Sequence, residues 1–319
     1  MAIGMGTEDP AATTRNTPMS FTSMLRWDRL LTLGCAQPLR RMMLKADGFC
    51  LPILMYHGVS DEPEDGVSPY YRTSTSPKVF AEQMALLRTE GYEAVSLPVG
   101  LEMLRRAGGA PGKLVALTFD DGLRDFHTTA FPILAQYGFG ATAFLPTAFI
   151  GSEPRRFHAR ECLTWREVRE LRKAGIEFGS HTVNHPALYE LDPARLRAEL
   201  EVSKAVMEDE LGEPIGSFAY PYAFPSADRR FVETFVELLQ TAKYECGVTT
   251  CIGRVRPNDP PFTLKRLPIN SADDGRLFLA KLAGAYDWMS LPQDSFKRWK
   301  RFVSSGRNDC TTARVEYAN

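Results

Sequence analysis

The stretch Leu114-Val-Ala-Leu-Thr-Phe-Asp-Asp-Gly122 decides how this chain folds. Its first six residues form a nearly continuous apolar run, which is typical of a parallel strand buried on both faces. Two carboxylates follow the run, and Gly122 permits a sharp turn there. The sequence therefore predicts a buried strand over 114–119 that presents Asp120 and Asp121 at its carboxyl end.

Similar apolar runs recur along the chain and alternate with helical patterns. The predicted strands lie at 51–56, 93–96, 114–119, 141–145, 177–179, 217–220, 245–248 and 264–267. The predicted helices lie at 77–90, 97–107, 126–137, 164–174, 192–211 and 226–243. Ser76-Pro77 and Asp192-Pro193 mark two of the helix starts. This alternation predicts an α/β protein with a mostly parallel sheet, and the number of units favours a closed barrel over an open sheet.

The length of 319 residues allows one large domain of the barrel class. We expect four segments along the chain. They are a disordered N-terminus over 1–19, an amphipathic helical extension over 20–49, the large domain over 50–303, and a loose C-terminal tail over 304–319.

Composition and charge restrict the classes of partner. The net charge of −1 gives no overall basic field for nucleic acid or an anionic membrane. Residues 1–20 lack the pattern of a secretion signal, and no segment approaches the ~20 apolar residues of a transmembrane helix. The six cysteines form no Cys-x-x-Cys pair and are predicted to be reduced thiols, with a Cys246–Cys251 bridge as the alternative. These features predict a cytoplasmic protein and leave its oligomeric state open.

A second motif, Ser180-His-Thr-Val-Asn-His185, follows the predicted strand at 177–179. Pro186 comes next and disfavours a helix, so a loop is expected to carry both histidines. In a barrel, the residues that follow the strands meet at the carboxyl face. The two motifs are therefore expected to share one site.

Two histidines and one carboxylate can hold a zinc-like divalent ion and leave positions open for water and substrate. The remaining carboxylate could then take a proton from the attacking water. The alternative interpretation is an Asp-Gly turn that caps the next helix, together with two histidines that bind no ion. Because both motifs follow strands of one predicted barrel, we favour the metal site.

Four motifs together give the chain a resemblance to a known family. They are Ile-Leu-Met-Tyr-His-Gly-Val at 53–59, Thr-Phe-Asp-Asp-Gly at 118–122, Ser-His-Thr-Val-Asn-His at 180–185 and Phe-Ala-Tyr-Pro-Tyr at 218–222. Over about 50–270 the chain resembles the polysaccharide deacetylases of carbohydrate esterase family 4, which share the NodB-type chitooligosaccharide deacetylase domain. The resemblance implies a distorted, TIM-barrel-like (β/α)7 barrel.

The resemblance also implies residue roles and an activity. Asp121, His181 and His185 would bind the metal, Asp120 would act as the base, and the backbone N–H of Tyr222 would donate to the oxyanion. The implied reaction is hydrolysis of a linear amide, the N-acetyl group of a sugar, oligosaccharide or polysaccharide precursor. Zn²⁺ is the expected ion, and the ligand types also allow Co²⁺, Ni²⁺ or Mn²⁺.

The chain departs from the family pattern at the general acid. The family places a late histidine in a Leu-x-His motif, but none of the five histidines follows His185, and 264–269 reads Leu-Lys-Arg-Leu-Pro-Ile. His57 ends the first predicted strand and is the candidate acid, since histidine exchanges protons near neutral pH. The alternative is a buried histidine that braces its loop.

A second departure concerns the arginine that orients the base. Ala219-Tyr220 stands where the family carries that arginine, and Arg266 is the candidate replacement. A surface arginine without this role is the alternative. Three aromatic residues either line a sugar groove or belong to the core: Tyr56, Trp165 and Phe224.

The missing late histidine leaves two other functions open. One is a barrel that keeps the metal and binds saccharide without turnover. The other is an amidohydrolase that acts on a cyclic imide.

Overall fold

The structure is a computed structural model that describes residues 26–42, 49–64, 67, 71–106 and 113–290. The predictions of a disordered segment over 1–19 and a loose tail over 304–319 lie outside the described residues.

Seven parallel strands of the described chain close into a barrel, as the sequence predicts. The strands of the main sheet are β1 (Ile53–Tyr56), β2 (Tyr92–Val95), β3 (Lys113–Phe119), β4 (Thr142–Leu145), β5 (Glu177–Ser180), β6 (Ser217–Ala219), β7 (Cys246–Ile252) and β8 (Leu264–Pro268). The ring runs β1-β3-β4-β5-β6-β7-β8 and closes because β1 pairs with both β3 and β8.

Strand β2 lies outside the ring and accounts for the distortion of the barrel. It pairs with the first half of β3, from Lys113 to Ala116. Strand β4 pairs with the same edge of β3 further along, at Thr118 and Phe119. One edge of β3 therefore serves two neighbours, and the ring contains seven strands rather than eight.

The helices of the described chain lie in the predicted places, except for the last one. They are α1 (Trp27–Leu31), α2 (Gln37–Met42), α3 (Pro77–Thr89), α4 (Leu97–Arg106), α5 (Phe131–Tyr137), α6 (Trp165–Lys173), α7 (Pro193–Leu211), α8 (Arg229–Thr241) and α9 (Gly275–Leu282), with π-helical turns at Thr32–Ala36 and Phe126–Ala130. Both predicted N-caps are confirmed. The Ser76 side chain accepts from the N–H of Val79, and the Asp192 side chain accepts from two first-turn N–H groups of α7.

Helix α9 and two short strand pairs were not predicted. Asp274 caps α9, which spans only Gly275–Leu282. The strand pairs, Gly58–Val59 with Ser74–Thr75 and Arg156–Phe157 with Arg160–Glu161, have two residues per strand. Such short elements carry too little pattern for a prediction from sequence.

The described part of the N-terminal extension is helical and docks against the region around α9. Arg26 forms an ion pair with Asp28, and the Tyr286 hydroxyl donates to the same carboxylate. Trp288 donates from its indole N–H to the Thr32 hydroxyl. These contacts attach residues 26–42 to the barrel domain.

The buried apolar side chains form two clusters, one inside the barrel and one between the strands and the helices. The cluster inside the barrel includes Ile53, Ala116, Phe144, Val248 and Leu264. Because strand side chains alternate between faces, positions two residues further toward the carboxyl ends also point inward. Polar groups follow this apolar cluster at Thr118, Asp120 and Arg266.

Two sequence predictions about the described residues agree with the structure. No disulfide joins the cysteines in that part of the chain, where Cys246 and Cys251 both lie on β7. In the same residues, no helix is both long enough and apolar enough to cross a bilayer.

Candidate active site

The turn after β3 separates its two carboxylates. Asp120 keeps the inward direction of the strand and is buried. Asp121 and Gly122 adopt left-handed backbone angles, with φ of 72° and 59°. A Cβ at Gly122 would lie 2.9 Å from Leu145 Cδ2, and with the positive φ a side chain at this position would be strained. The turn therefore directs Asp121 away from Asp120, and neither aspartate caps the following π-helical turn, which starts after Asp125.

A loop after β5 carries His181 and His185, as Pro186 predicted. Thr182 and His185 have positive φ angles of 74° and 53°, which are uncommon for residues with a side chain. The N–H of His185 donates to the Thr182 hydroxyl over 2.9 Å. This short-range bond folds the loop back so that both imidazoles face Asp121.

Asp121, His181 and His185 form a compact triangle of ligand atoms. The two Nε2 atoms are 3.1 Å apart, and Asp121 Oδ1 lies 3.5 Å from His181 Nε2 and 3.4 Å from His185 Nε2. Ligands about 2.0–2.1 Å from a tetrahedral ion would be separated by about 3.3–3.4 Å. The triad therefore has the spacing of three ligands to one divalent ion.

The surroundings of His181 select the form of the ring that can bind a metal. Its Nδ1 lies 2.8 Å from the carbonyl oxygen of Ala219, which can only accept. The ring therefore donates through Nδ1, and its Nε2 faces Asp121 and His185. This backbone contact orients the first histidine in the manner typical of metal sites.

His185 is held by aromatic contacts. Its ring centroid lies 4.9 Å from that of Phe157 and 4.6 Å from that of Tyr222. Burial, followed by the neighbouring His181, lowers the pKa of His185 to about 3. The imidazole is consequently neutral over the physiological range and available as a ligand.

Asp120 is paired with Arg266 inside the barrel. Arg266 Nη1 donates to Asp120 Oδ1 and Nη2 donates to Oδ2, each over 2.7 Å. The guanidinium also donates to the carbonyl of Thr249 and lies over the ring of Phe144. Arg266 is fully buried, so the alternative of a surface arginine is wrong.

This pairing determines the charge of Asp120. Burial raises the pKa of its carboxyl group, but the Arg266 cation and the nearby histidines outweigh burial, and the pKa lies below its ordinary value. Asp120 is therefore ionised at neutral pH. An ionised carboxylate beside the triad is what a general base requires.

The structure brings the remaining predicted residues to the same end of the barrel. His57 follows β1, is half-buried, and lies within electrostatic reach of both Asp120 and Asp121. Tyr222 follows β6 with a φ of 56°, and its half-exposed ring contacts His185. Their roles as acid and oxyanion donor stay predictions.

The three aromatic residues considered for a sugar groove belong to the core. Tyr56 and Phe224 are buried, and Trp165 starts α6 with 7% of its surface exposed. The Tyr56 hydroxyl donates to Gln83 within the protein. The core interpretation of these residues is therefore correct.

Sequence reasoning missed the strand pair Arg156–Phe157/Arg160–Glu161 beside the site. Its turn has positive φ at both His158 and Ala159, and Phe157 packs against His185. Arg160 holds the pair in place through an ion pair with Asp125 and a hydrogen bond to Ser60. The sequence offered no turn glycine or asparagine here, so it gave no hairpin signal.

Comparison with known proteins shows which family this site resembles. A family model for polysaccharide deacetylase matches residues 107–241, which include the turn after β3 and the histidine loop. A Bacillus subtilis protein, YxkH, described provisionally as a polysaccharide deacetylase, is 29% identical over 74% of this chain and 75% of its own length. The solved deacetylase PplD of Streptococcus pyogenes, in complex with acetate, superposes with a TM-score of 0.64 at 27% identity, covering 74% of this chain and 99% of that one.

The chain is similar to the polysaccharide deacetylase family. The poly-β-1,6-N-acetyl-D-glucosamine N-deacetylase of Staphylococcus aureus strain MSSA476 is also similar, with 25% identity over 62% of this chain and 68% of its own. The predicted NodB-type barrel fold is confirmed, with an N-terminal helical segment before β1. Within the described residues, Asp121, His181 and His185 form a group that could hold a metal ion.

Proposed function

We propose that this protein is a polysaccharide deacetylase that removes N-acetyl groups from an N-acetylated glucosamine saccharide, with Zn²⁺ as the bound metal. The observation that carries the proposal is that a candidate metal site lies next to an ionised carboxylate that can act as a base. The triad has the spacing of a metal site, and the adjacent Asp120 is ionised and fixed by Arg266.

Each step of the reaction has a residue that can perform it. A divalent ion held by the triad would supply a Lewis acid for the acetamide carbonyl and for the attacking water. Asp120 takes the proton of that water, and the N–H of Tyr222 donates to the oxyanion as the tetrahedral carbon forms. His57 gives a proton to the departing amine. The products are acetate and the free amino sugar.

The names of similar proteins support the substrate class. The Staphylococcus aureus relative is named for poly-β-1,6-N-acetyl-D-glucosamine, and the Streptococcus pyogenes deacetylase was solved with acetate, which is a product of N-deacetylation. We extend the N-acetylglucosamine unit to this chain and leave its linkage and length to experiment. A cytoplasmic location, as the sequence predicts, would favour a precursor over a finished polymer.

A direct assay tests the proposed function. The purified protein is loaded in turn with Zn²⁺, Co²⁺, Ni²⁺ and Mn²⁺ and incubated with β-1,4- and β-1,6-linked N-acetylglucosamine oligomers. Acetate and free amines are then measured beside the metal-stripped protein. We expect equal amounts of both products, highest with Zn²⁺. Saccharide binding without acetate release for every metal would favour the non-catalytic barrel. Turnover of a cyclic imide alone would favour the other amidohydrolase.

Replacement of His57 tests the proposed acid. We expect His57→Ala to lower turnover about 10²-fold, because loss of a general acid leaves the amine to depart unprotonated. Metal affinity should stay within about twofold, because His57 is not one of the triad ligands. His127→Ala, at a partly exposed histidine beside Glu167 and Glu170, is the matched control and should keep full activity. Unchanged turnover in His57→Ala would remove His57 from the mechanism and leave it as a loop residue.

A further inference from the structure

A single carboxylate from helix α7 holds the loop between the two metal-binding histidines. The backbone N–H groups of Val183 and Asn184 both donate to Glu199 Oε2, over 2.8 Å and 3.0 Å. The Asn184 side-chain amide donates to Glu199 Oε1 over 2.8 Å. Both oxygens of Glu199 are thus used by the two residues that directly precede His185.

The loop needs such a partner because its backbone conformation is unfavourable. Thr182 is β-branched and has a φ of 74°, and His185 has a φ of 53°. Residues in this left-handed region persist only where their surroundings hold them there. Hydrogen bonds to an ionised carboxylate are among the stronger ones available for this purpose.

The other contacts of the loop involve its carbonyl groups and Thr182, so the N–H groups of the 183–184 segment depend on Glu199. The carbonyl groups of Thr182 and Val183 accept from the N–H groups of Thr147 and Ala148 on one side. The N–H of Thr182 donates to Ser180, which in turn contacts Ser203 on α7. Among the hydrogen bonds of the described residues, the N–H groups of Val183 and Asn184 donate to Glu199.

We propose that Glu199 is a positioning residue for the metal site. It fixes the loop so that His185 Nε2 stays within reach of His181 and Asp121. The proposal rests on the metal-binding role of the triad, but not on the reaction or the substrate. It assigns to α7 the task of holding the second histidine in its ligand geometry before the metal binds.

The test measures metal binding rather than turnover. Metal-free wild type, Glu199→Ala and Glu199→Gln are titrated with Zn²⁺ against a chelating dye and with Co²⁺ by visible absorption. We expect Glu199→Ala to bind at least about 10-fold more weakly, since loss of a group that orients a ligand typically weakens binding by about 10–100-fold. Glu199→Gln should remain within about threefold of wild type. The amide oxygen of the new glutamine can accept from both N–H groups. The Asn184 side-chain amide can flip so that its oxygen accepts from the glutamine NH₂ group.

Glu201→Ala is the matched control. It removes the same side chain two positions along α7, where Glu201 is exposed and pairs with Arg197. Its metal affinity should equal that of wild type. Thermal unfolding with and without Zn²⁺ separates positioning from support of the fold, because at a fixed Zn²⁺ concentration a tighter-binding protein gains a larger increase in melting temperature. The increase on adding Zn²⁺ should shrink in Glu199→Ala and not in Glu201→Ala.

The exposed residue Asn184 provides a second test that does not disturb the helix. Asn184→Ala removes only the side-chain bond to Glu199 and should weaken metal binding about threefold. If Glu199→Ala folds and binds metal as tightly as wild type, the proposal is wrong. If Glu199→Ala does not fold, wild-type metal affinity in Asn184→Ala would overturn the proposal instead. The proposal would survive a failure of the acetate assay, because no step of the test involves a saccharide.

Discussion

Asp120→Asn is expected to reduce deacetylation by about 10²–10⁴-fold while the protein still binds its metal. Asparagine cannot accept the proton that the ionised Asp120 takes, and Asp120 is not among the triad ligands. The loss should appear in kcat, with metal affinity within a few-fold of wild type. Acetate release and Zn²⁺ titration on the same preparation measure the two quantities.

The neighbouring residue supplies the control for this prediction. Asp121→Asn replaces an adjacent aspartate of the same turn, but its Oδ1 lies against both histidine Nε2 atoms. We expect this variant to lose metal affinity as well as activity. If Asp120→Asn also failed to bind metal, or if it kept a rate within about threefold of wild type, the assignment of Asp120 as base would be wrong.

The strands and the positions of the site residues could be predicted because strong local patterns specify them. The run at 114–119 is apolar at nearly every position, so its burial and its end at Asp120 follow from the sequence. The loop around His181 and His185 follows from Pro186. The alternation of strand side chains also places Asp120 on the interior face with Thr118.

The parts that the sequence could not decide depend on contacts between distant segments. In the sequence Arg266 is a candidate partner of Asp120 beside the alternative of a surface arginine, because the two residues are far apart in sequence and only the closure of the barrel brings β8 close enough to β3. Glu199 appears in the sequence as one of several charged residues on the long helix α7. Its three bonds to the 183–184 segment become visible only when the direction of α7 is known.

Arg266→Met is expected to lower the free energy of unfolding by about 3–5 kcal/mol, because removing one partner of a buried ion pair leaves the other charge uncompensated. Arg266 has no exposed surface, and 3% of the Asp120 side chain is exposed. Chemical denaturation of the metal-free protein measures the loss. Arg166→Met is the matched control. Arg166 is 72% exposed and pairs with Glu170, so its removal should cost less than about 1 kcal/mol.

A double variant tells whether the unpaired carboxylate is the cause. Arg266→Met with Asp120→Asn removes both charges, so the double variant should unfold at a higher denaturant concentration than Arg266→Met alone. If the double variant were no more stable than Arg266→Met, lost packing against Phe144 rather than the unpaired charge would explain the destabilisation.

The single substitution Arg266→Met should also shift the pH dependence of activity in a defined direction. In the wild type, burial raises the pKa of Asp120 and Arg266 more than offsets it, so the pKa lies below its ordinary value and Asp120 remains ionised into the acidic range. Without Arg266 the largest lowering influence is gone while burial remains, so the pKa of Asp120 rises. The acid limb of kcat/KM should therefore move to higher pH in Arg266→Met, with activity partly recovered as the pH increases. An acid limb at the wild-type position would show that Arg266 does not set the ionisation of the base, and Arg266 would then serve only to hold Asp120 in place.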